Sequence, residues 1–176
     1  MSLRYENLDD QTRSYMVEEV DMDTQNGTIY ISRYLNPTGC DAWPRLLREA
    51  AQQGTDDSLA SAIVRDRCLH DRVERKKPKG GVTMVAVPVT AHETMGEGEF
   101  NRFYVRGVCR RAIDEGVQVE VYRAKAVRDP RPESERLIGT RMDAAKLLAD
   151  LRQSPGFESA LGIALPNSGL SVRLAR

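Results

Sequence analysis

Arg102, Arg106 and Arg110 recur at every fourth position in the middle of the chain. On a helix that spacing places three guanidinium groups in one stripe, and guanidinium forks grip the oxygens of successive phosphates bidentately. The same row has a structural explanation. Glu99 stands three residues before Arg102, and Asp114 and Glu115 stand four after Arg110 and Arg111, so intrahelical ion pairs on a solvated face account for the charges equally well.

A second cationic group is Arg75, Lys76, Lys77 and Lys79, followed by Gly80 and Gly81. Glycine backbone N–H groups beside such a run can help to hold an anion. The phosphate-loop spacing GxxxxGK followed by Ser or Thr is absent, however, and a basic run before two glycines also serves as a solvated turn. Arg123 and Lys125 form a third group. They continue the parity of Val117, Val119 and Val121, so the strand projects beyond the core there, or a bulge turns its faces over, or the two cations line a partly buried site.

For acid–base or metal chemistry the candidates are His92, Glu93, Glu97 and Glu99 near one helix start. Helix N-termini attract acids for dipole and capping reasons, which explains the cluster without a site. Gly96-Glu97-Gly98-Glu99 is rejected as a phosphate cradle because its glutamates repel anions, and it reads instead as a hinge. Cys40, Cys68 and Cys109 include no CxxC pair, and with only His70 and His92 beside them they match no zinc spacing. They are expected as reduced, partly buried thiols. No metal site and no cofactor are expected, and no motif names a reaction.

The elements that must position these groups follow from periodicity and punctuation. Helices are predicted over residues 10–20, 42–53 (preceded by Asp41 and stopped by Gly54), 57–70, 99–115 and 144–153. The fourth of these extends back to a Thr90-x-x-Glu93 capping-box pattern and ends at Gly116. Asn26-Gly27 predicts a turn into a strand over 28–34, and Val82 begins a buried strand over 82–90. The segment 72–81 reads as an irregular basic loop. Alternation predicts strands at 117–122 and 170–174, and 137–141 reads as a further short strand. The two prolines within 129–135 exclude a helix there, while 157–165 reads as a short helical turn.

The order lacks the regular βα repeat of a doubly wound sheet. The expected fold is therefore α+β, helices packed on a mixed or antiparallel β-sheet around one core layer. A length of 176 residues fits one α+β domain over 1–176, with a helical subregion over 1–72. Lys plus Arg and Asp plus Glu are both 26, which removes any global drive toward nucleic acid and leaves only local patches. No apolar run approaches the roughly 20 residues of a membrane span, and residues 1–10 lack the apolar core of a secretory signal, so a cytoplasmic protein without a membrane partner is expected.

The leading functional expectation is a non-enzymatic binding or assembly module that contacts nucleic acid or another anionic partner through its basic surfaces. One alternative is a small enzyme or phosphorylated-ligand binder with an acidic/His or an Arg/Lys pocket. The other is a structural homo-oligomer subunit.

Overall fold

The longest helix gathers the largest share of the apolar side chains, and the rest of the chain is built around it. The computed structural model describes residues 2–154, 159–165 and 167–175. Three helices come first, α1 (Asp10–Asn26), α2 (Pro37–Gln53) and α3 (Asp56–Arg65), then a hairpin of β1 (Arg72–Lys76) and β2 (Val82–Ala86). The central helix α4 (Ala91–Glu115) leads to β3 (Val119–Arg123), the short α5 (Pro132–Leu137), β4 (Arg141–Met142), α6 (Ala144–Gln153) and β5 (Leu170–Leu174). Strand β3 lies between β4 and β5, antiparallel to both, and β1 and β2 form a separate two-stranded sheet. The fold is α+β.

From Glu99 to Cys109 every residue of α4 is buried, whichever way it points. Helices α1, α3 and α6 and strand β5 enclose it. Val119, Val121, Leu170, Val172 and Leu174 close the core from the sheet side, and Asn101 ties helix to sheet by donating to the Leu170 carbonyl (2.9 Å) and accepting from the Ser171 hydroxyl (2.7 Å). Such satisfaction is what a polar side chain needs inside a core.

Two glycines make the close helix crossings possible. A Cβ on Gly107 would stand 2.8 Å from Met16 Cγ and 3.0 Å from the Thr12 carbonyl of α1, and one on Gly96 would stand 2.8 Å from the Asp56 carbonyl of α3. The expected hinge at residues 96–99 is therefore a helix contact within one unbroken helix. Thr90 precedes that helix without making a side-chain cap bond, contrary to the capping-box pattern.

Several local expectations are corrected. Asn26-Gly27 ends α1 and does not open a hairpin: Gly27 takes a left-handed conformation (φ 65°), its N–H returns to the Thr24 carbonyl, and the Thr28 N–H bonds the Asp23 carbonyl at 2.8 Å. Residues 28–34 form no strand. Helix α2 starts a turn earlier than expected because Asn36 accepts from the Gly39 N–H and Pro37 opens the helix, leaving Pro44 inside it. Helix α3 stops at Arg65, and Leu69 instead bridges Leu35.

The prolines of 129–135 do not exclude a helix either, since Pro132 is the first residue of α5, where no N–H is needed. The strand expected at 137–141 is only Arg141–Met142. Residues 159–162 make a turn gathered by Asp150, which accepts from the Ser159 hydroxyl and the N–H groups of Ala160 and Leu161, and 163–165 form no helix. The rest of the helical turn expected there, 157 and 158, lies outside the described residues. Among the described residues no helix is long and apolar enough to cross a membrane.

Candidate anion-binding site

The arginine stripe of α4 forms as its spacing requires, but it faces into the protein. Arg102 and Arg106 are 3% and 1% exposed. Arg102 donates to the carbonyls of Leu151 (2.9 Å) and Ser154 (2.6 Å), closing the C-terminal end of α6. Arg106 bonds Glu19 (2.8 Å from Nε) and Asp23 (2.6 Å from Nη1) on α1 and stacks 4.9 Å from the Phe103 ring centre. Arg110 pairs with Glu18 at 2.6 Å and lies 3.5 Å from Glu19. Arg152 of α6 also bonds Glu19, so one fully buried carboxylate joins three elements.

Burial alone would raise the Glu19 pKa, but the hydrogen bond from Arg152 and the charge and hydrogen bond of Arg106 outweigh it and hold the carboxyl below its ordinary value. The expected intrahelical neutralisation is found at Arg111, which pairs with Glu115 at 2.6 Å and also with Asp9. For Arg106 and Arg110 the neutralising carboxylates belong to α1, a contact that spacing within α4 does not encode.

Arg123 and Lys125 are likewise engaged. The register of β3 on β5 runs unbroken to Arg123↔Leu170, so no bulge reverses the strand. Arg123 donates to the Ser168 carbonyl (2.8 Å) and pairs with Glu135, while Lys125 pairs with Glu97. The acidic and histidine cluster is dispersed: Glu97 faces Lys125, Glu93 is exposed 4.0 Å from His92, and Glu99 is buried. Burial pushes the Glu99 carboxyl up to about 7 against the attraction of Arg102 and Arg106, with Asp23 raising it further. Among the described residues no group of three potential ligands could hold a metal. The cysteines are free thiols, and burial raises the pKa of Cys68 and Cys109.

What remains is the basic segment, and its form differs from expectation. Arg75 and Lys76 are strand residues: Arg72 pairs with Ala86, Val73 with Val85, Glu74 with Met84, Arg75 with Thr83 and Lys76 with Val82. Lys77, Pro78, Lys79, Gly80 and Gly81 make the turn, closed by the Lys77 N–H on the Gly81 carbonyl (2.9 Å) and the Gly80 N–H on the Lys77 carbonyl (3.1 Å). Both glycines have positive φ, 93° and 82°, so they are turn residues, and the Gly80 N–H is already committed within the hairpin.

Pleating sends alternate residues to opposite faces. Val73 is buried and Val85 and Thr83 are half-buried on one face, which also carries the exposed Arg75, while Arg72, Glu74, Lys76, Val82, Met84 and Ala86 are exposed on the other. The strand over 82–90 is thus shorter than expected and mostly exposed, with Val82, Met84 and Val89 at 55%, 47% and 90% exposure. Arg72, absent from the residues selected by sequence, belongs to this surface and bonds the Met84 carbonyl across the ribbon at 2.9 Å. The signal for it was present: a run of strand-length residues, a Pro-Lys-Gly-Gly turn, and a second run rich in β-branched residues.

From Arg72 to Ala86 there are five cations and one carboxylate. Among the described residues none of Arg75, Lys76, Lys77 and Lys79 makes an ion pair. The ribbon's strands make their contacts chiefly with each other. Comparison with known proteins finds no matching family, no matching curated protein and no matching solved structure.

Proposed function

We propose that this protein is a binding module that engages nucleic acid through the β1–β2 ribbon. The observation that carries the reading is the concentration of five cations on one ribbon while the arginines elsewhere in the candidate set are neutralised or buried. A two-stranded ribbon has the width that the major groove of B-DNA admits. Its cations would neutralise phosphates along the backbone and release their counterions. The exposed Val82 and Met84 between them supply apolar contacts of the kind that thymine methyl groups or unstacked bases accept.

Balanced net charge does not oppose this reading. Because the ribbon is strongly positive, the remainder of the chain is net negative, which orients the molecule with the ribbon toward a polyanion.

Fluorescence anisotropy with a labelled duplex and a labelled single strand tests it. With four or five phosphates neutralised, the affinity should fall with a slope of about −4 on a log–log plot against salt concentration. Replacing Lys76, Lys77 and Lys79 by Glu should abolish binding while leaving the circular dichroism spectrum unchanged. Absence of binding to both probes at low salt, or full binding by the triple variant, removes the proposal.

A further inference from the structure

The irregular segment between α1 and α2 is held at several points although it belongs to no helix or strand. The Trp43 indole N–H donates to the Tyr30 carbonyl (3.0 Å), the Tyr34 N–H to the Ser32 hydroxyl (3.2 Å), and the His70 N–H to the Tyr34 carbonyl (2.9 Å). A backbone so fixed presents its side chains in a set arrangement, the property that turns a connecting segment into a binding wall.

That segment forms one side of a cleft of about 680 Å³, within the range of roughly 300–1,000 Å³ typical of small-molecule sites. Tyr30, Arg33 and Tyr34 line it from this segment, together with Thr90 and Thr94 from the start of α4 and Arg131 from the approach to α5. The Arg33 guanidinium lies 5.2 Å from the Tyr34 ring centre. Among the described residues neither Arg33 nor Arg131 is paired with a carboxylate. Two arginines from distant segments thus line one cleft without a carboxylate partner.

We infer that this cleft binds a small phosphorylated ligand bearing a planar ring, of the size of a nucleoside monophosphate. Arg33 and Arg131 supply bidentate donors to the phosphate oxygens. The positive end of α4 and the Thr90 and Thr94 hydroxyls add to the same field. The tyrosine rings provide an aromatic surface for the planar part. Neither the ribbon nor its cations take part, so the site stands or falls separately from nucleic-acid binding.

Isothermal titration with AMP and UMP, and with adenosine and inorganic phosphate as partial ligands, is the test. A nucleotide should bind at least about tenfold more tightly than either partial ligand, as expected when charge-assisted bonds and ring contacts act together. Arg33→Glu and Arg131→Glu should each weaken nucleotide binding about tenfold or more while leaving any adenosine binding unchanged. Thr90→Trp, at a position that makes no cap bond, should fill the cleft and remove binding of every probe. All three residues are exposed, and matching thermal unfolding of the variants establishes that each is folded. Failure of both nucleotides to bind at millimolar concentration overturns the inference, as does nucleotide binding that survives in all three variants.

Discussion

Glu19 and Glu99 face the same arginine, Arg106, and burial raises both, yet the two carboxyls end on opposite sides of their ordinary value. Glu19 receives hydrogen bonds from Arg106 and Arg152, and these more than offset its desolvation. Glu99 is raised to about 7 by burial because it has only the through-space attraction of Arg102 and Arg106, against repulsion from Asp23. The contrast sets a pH dependence with a definite sign. Between the ordinary glutamate value of 4.5 and about 7 the native protein holds a proton on Glu99 that the unfolded chain has lost, so stability falls as pH rises through this window. The full effect is on the order of 3 kcal/mol. Glu19 acts in the other direction: its stabilisation is present above the unfolded-state pKa and is lost as pH falls through its depressed folded value. Glu99→Gln should therefore be close to wild type in stability near pH 5 and more stable near pH 8, as read by urea unfolding at several pH values. Parallel profiles for the two proteins would contradict this assignment.

At the level of elements, helix contacts in this protein depend on missing side chains as much as on apolar ones. Placing alanine at Gly107 gains about 1 kcal/mol of helix propensity, but the new methyl meets the Thr12 carbonyl at 3.0 Å and the Met16 N at 3.3 Å, backbone atoms that can yield only if α1 shifts. Overpacking of this kind costs about 1–3 kcal/mol. Gly107→Ala should therefore lower the unfolding midpoint despite the propensity gain, and Gly96→Ala should do the same through the Asp56 carbonyl and the Ala60 N of α3. Differential scanning calorimetry would show it. Elements with a local signature were readable from sequence: α6 begins at Asp143, whose side chain accepts from the Lys146 N–H (2.8 Å), and α4 ends at Gly116 with φ 67°. Asn26-Gly27 was misread because a hairpin turn and a helix stop both require positive φ at glycine, and only the returning Thr28 N–H distinguishes them. The ribbon was missed because its turn and its charges resemble a solvated loop.

Across the whole molecule, stability and charge are distributed unevenly. The core lies between α4, its neighbouring helices and the three-stranded sheet, whereas the ribbon contributes little beyond Val73 to buried apolar surface. Local opening follows such differences in burial. Backbone amides of Arg75 and Thr83, which face each other within the ribbon, should exchange with solvent at least about a hundredfold faster than those of Val121 and Tyr122 on the central strand β3. Equal protection in the two sheets would show the ribbon to be an integral part of the core. If it exchanges fast as expected, a ribbon that opens locally can adapt to a partner without unfolding the body that carries it.

The α+β class, the central helix and the positions of most helices were determined by the sequence alone, because periodicity, caps and glycine stops act within a few residues of one another. Which cations are free was decided only in three dimensions. Nothing near Arg106 in the chain announces that Glu19 and Asp23 will neutralise it, or that Glu135 will meet Arg123, since each of those carboxylates arrives on a separate element. Arg33 and Arg131, far apart in the chain, come to line one cleft for the same reason. Long-range packing, which local spacing does not encode, separates charges that hold the fold together from charges left without a carboxylate partner.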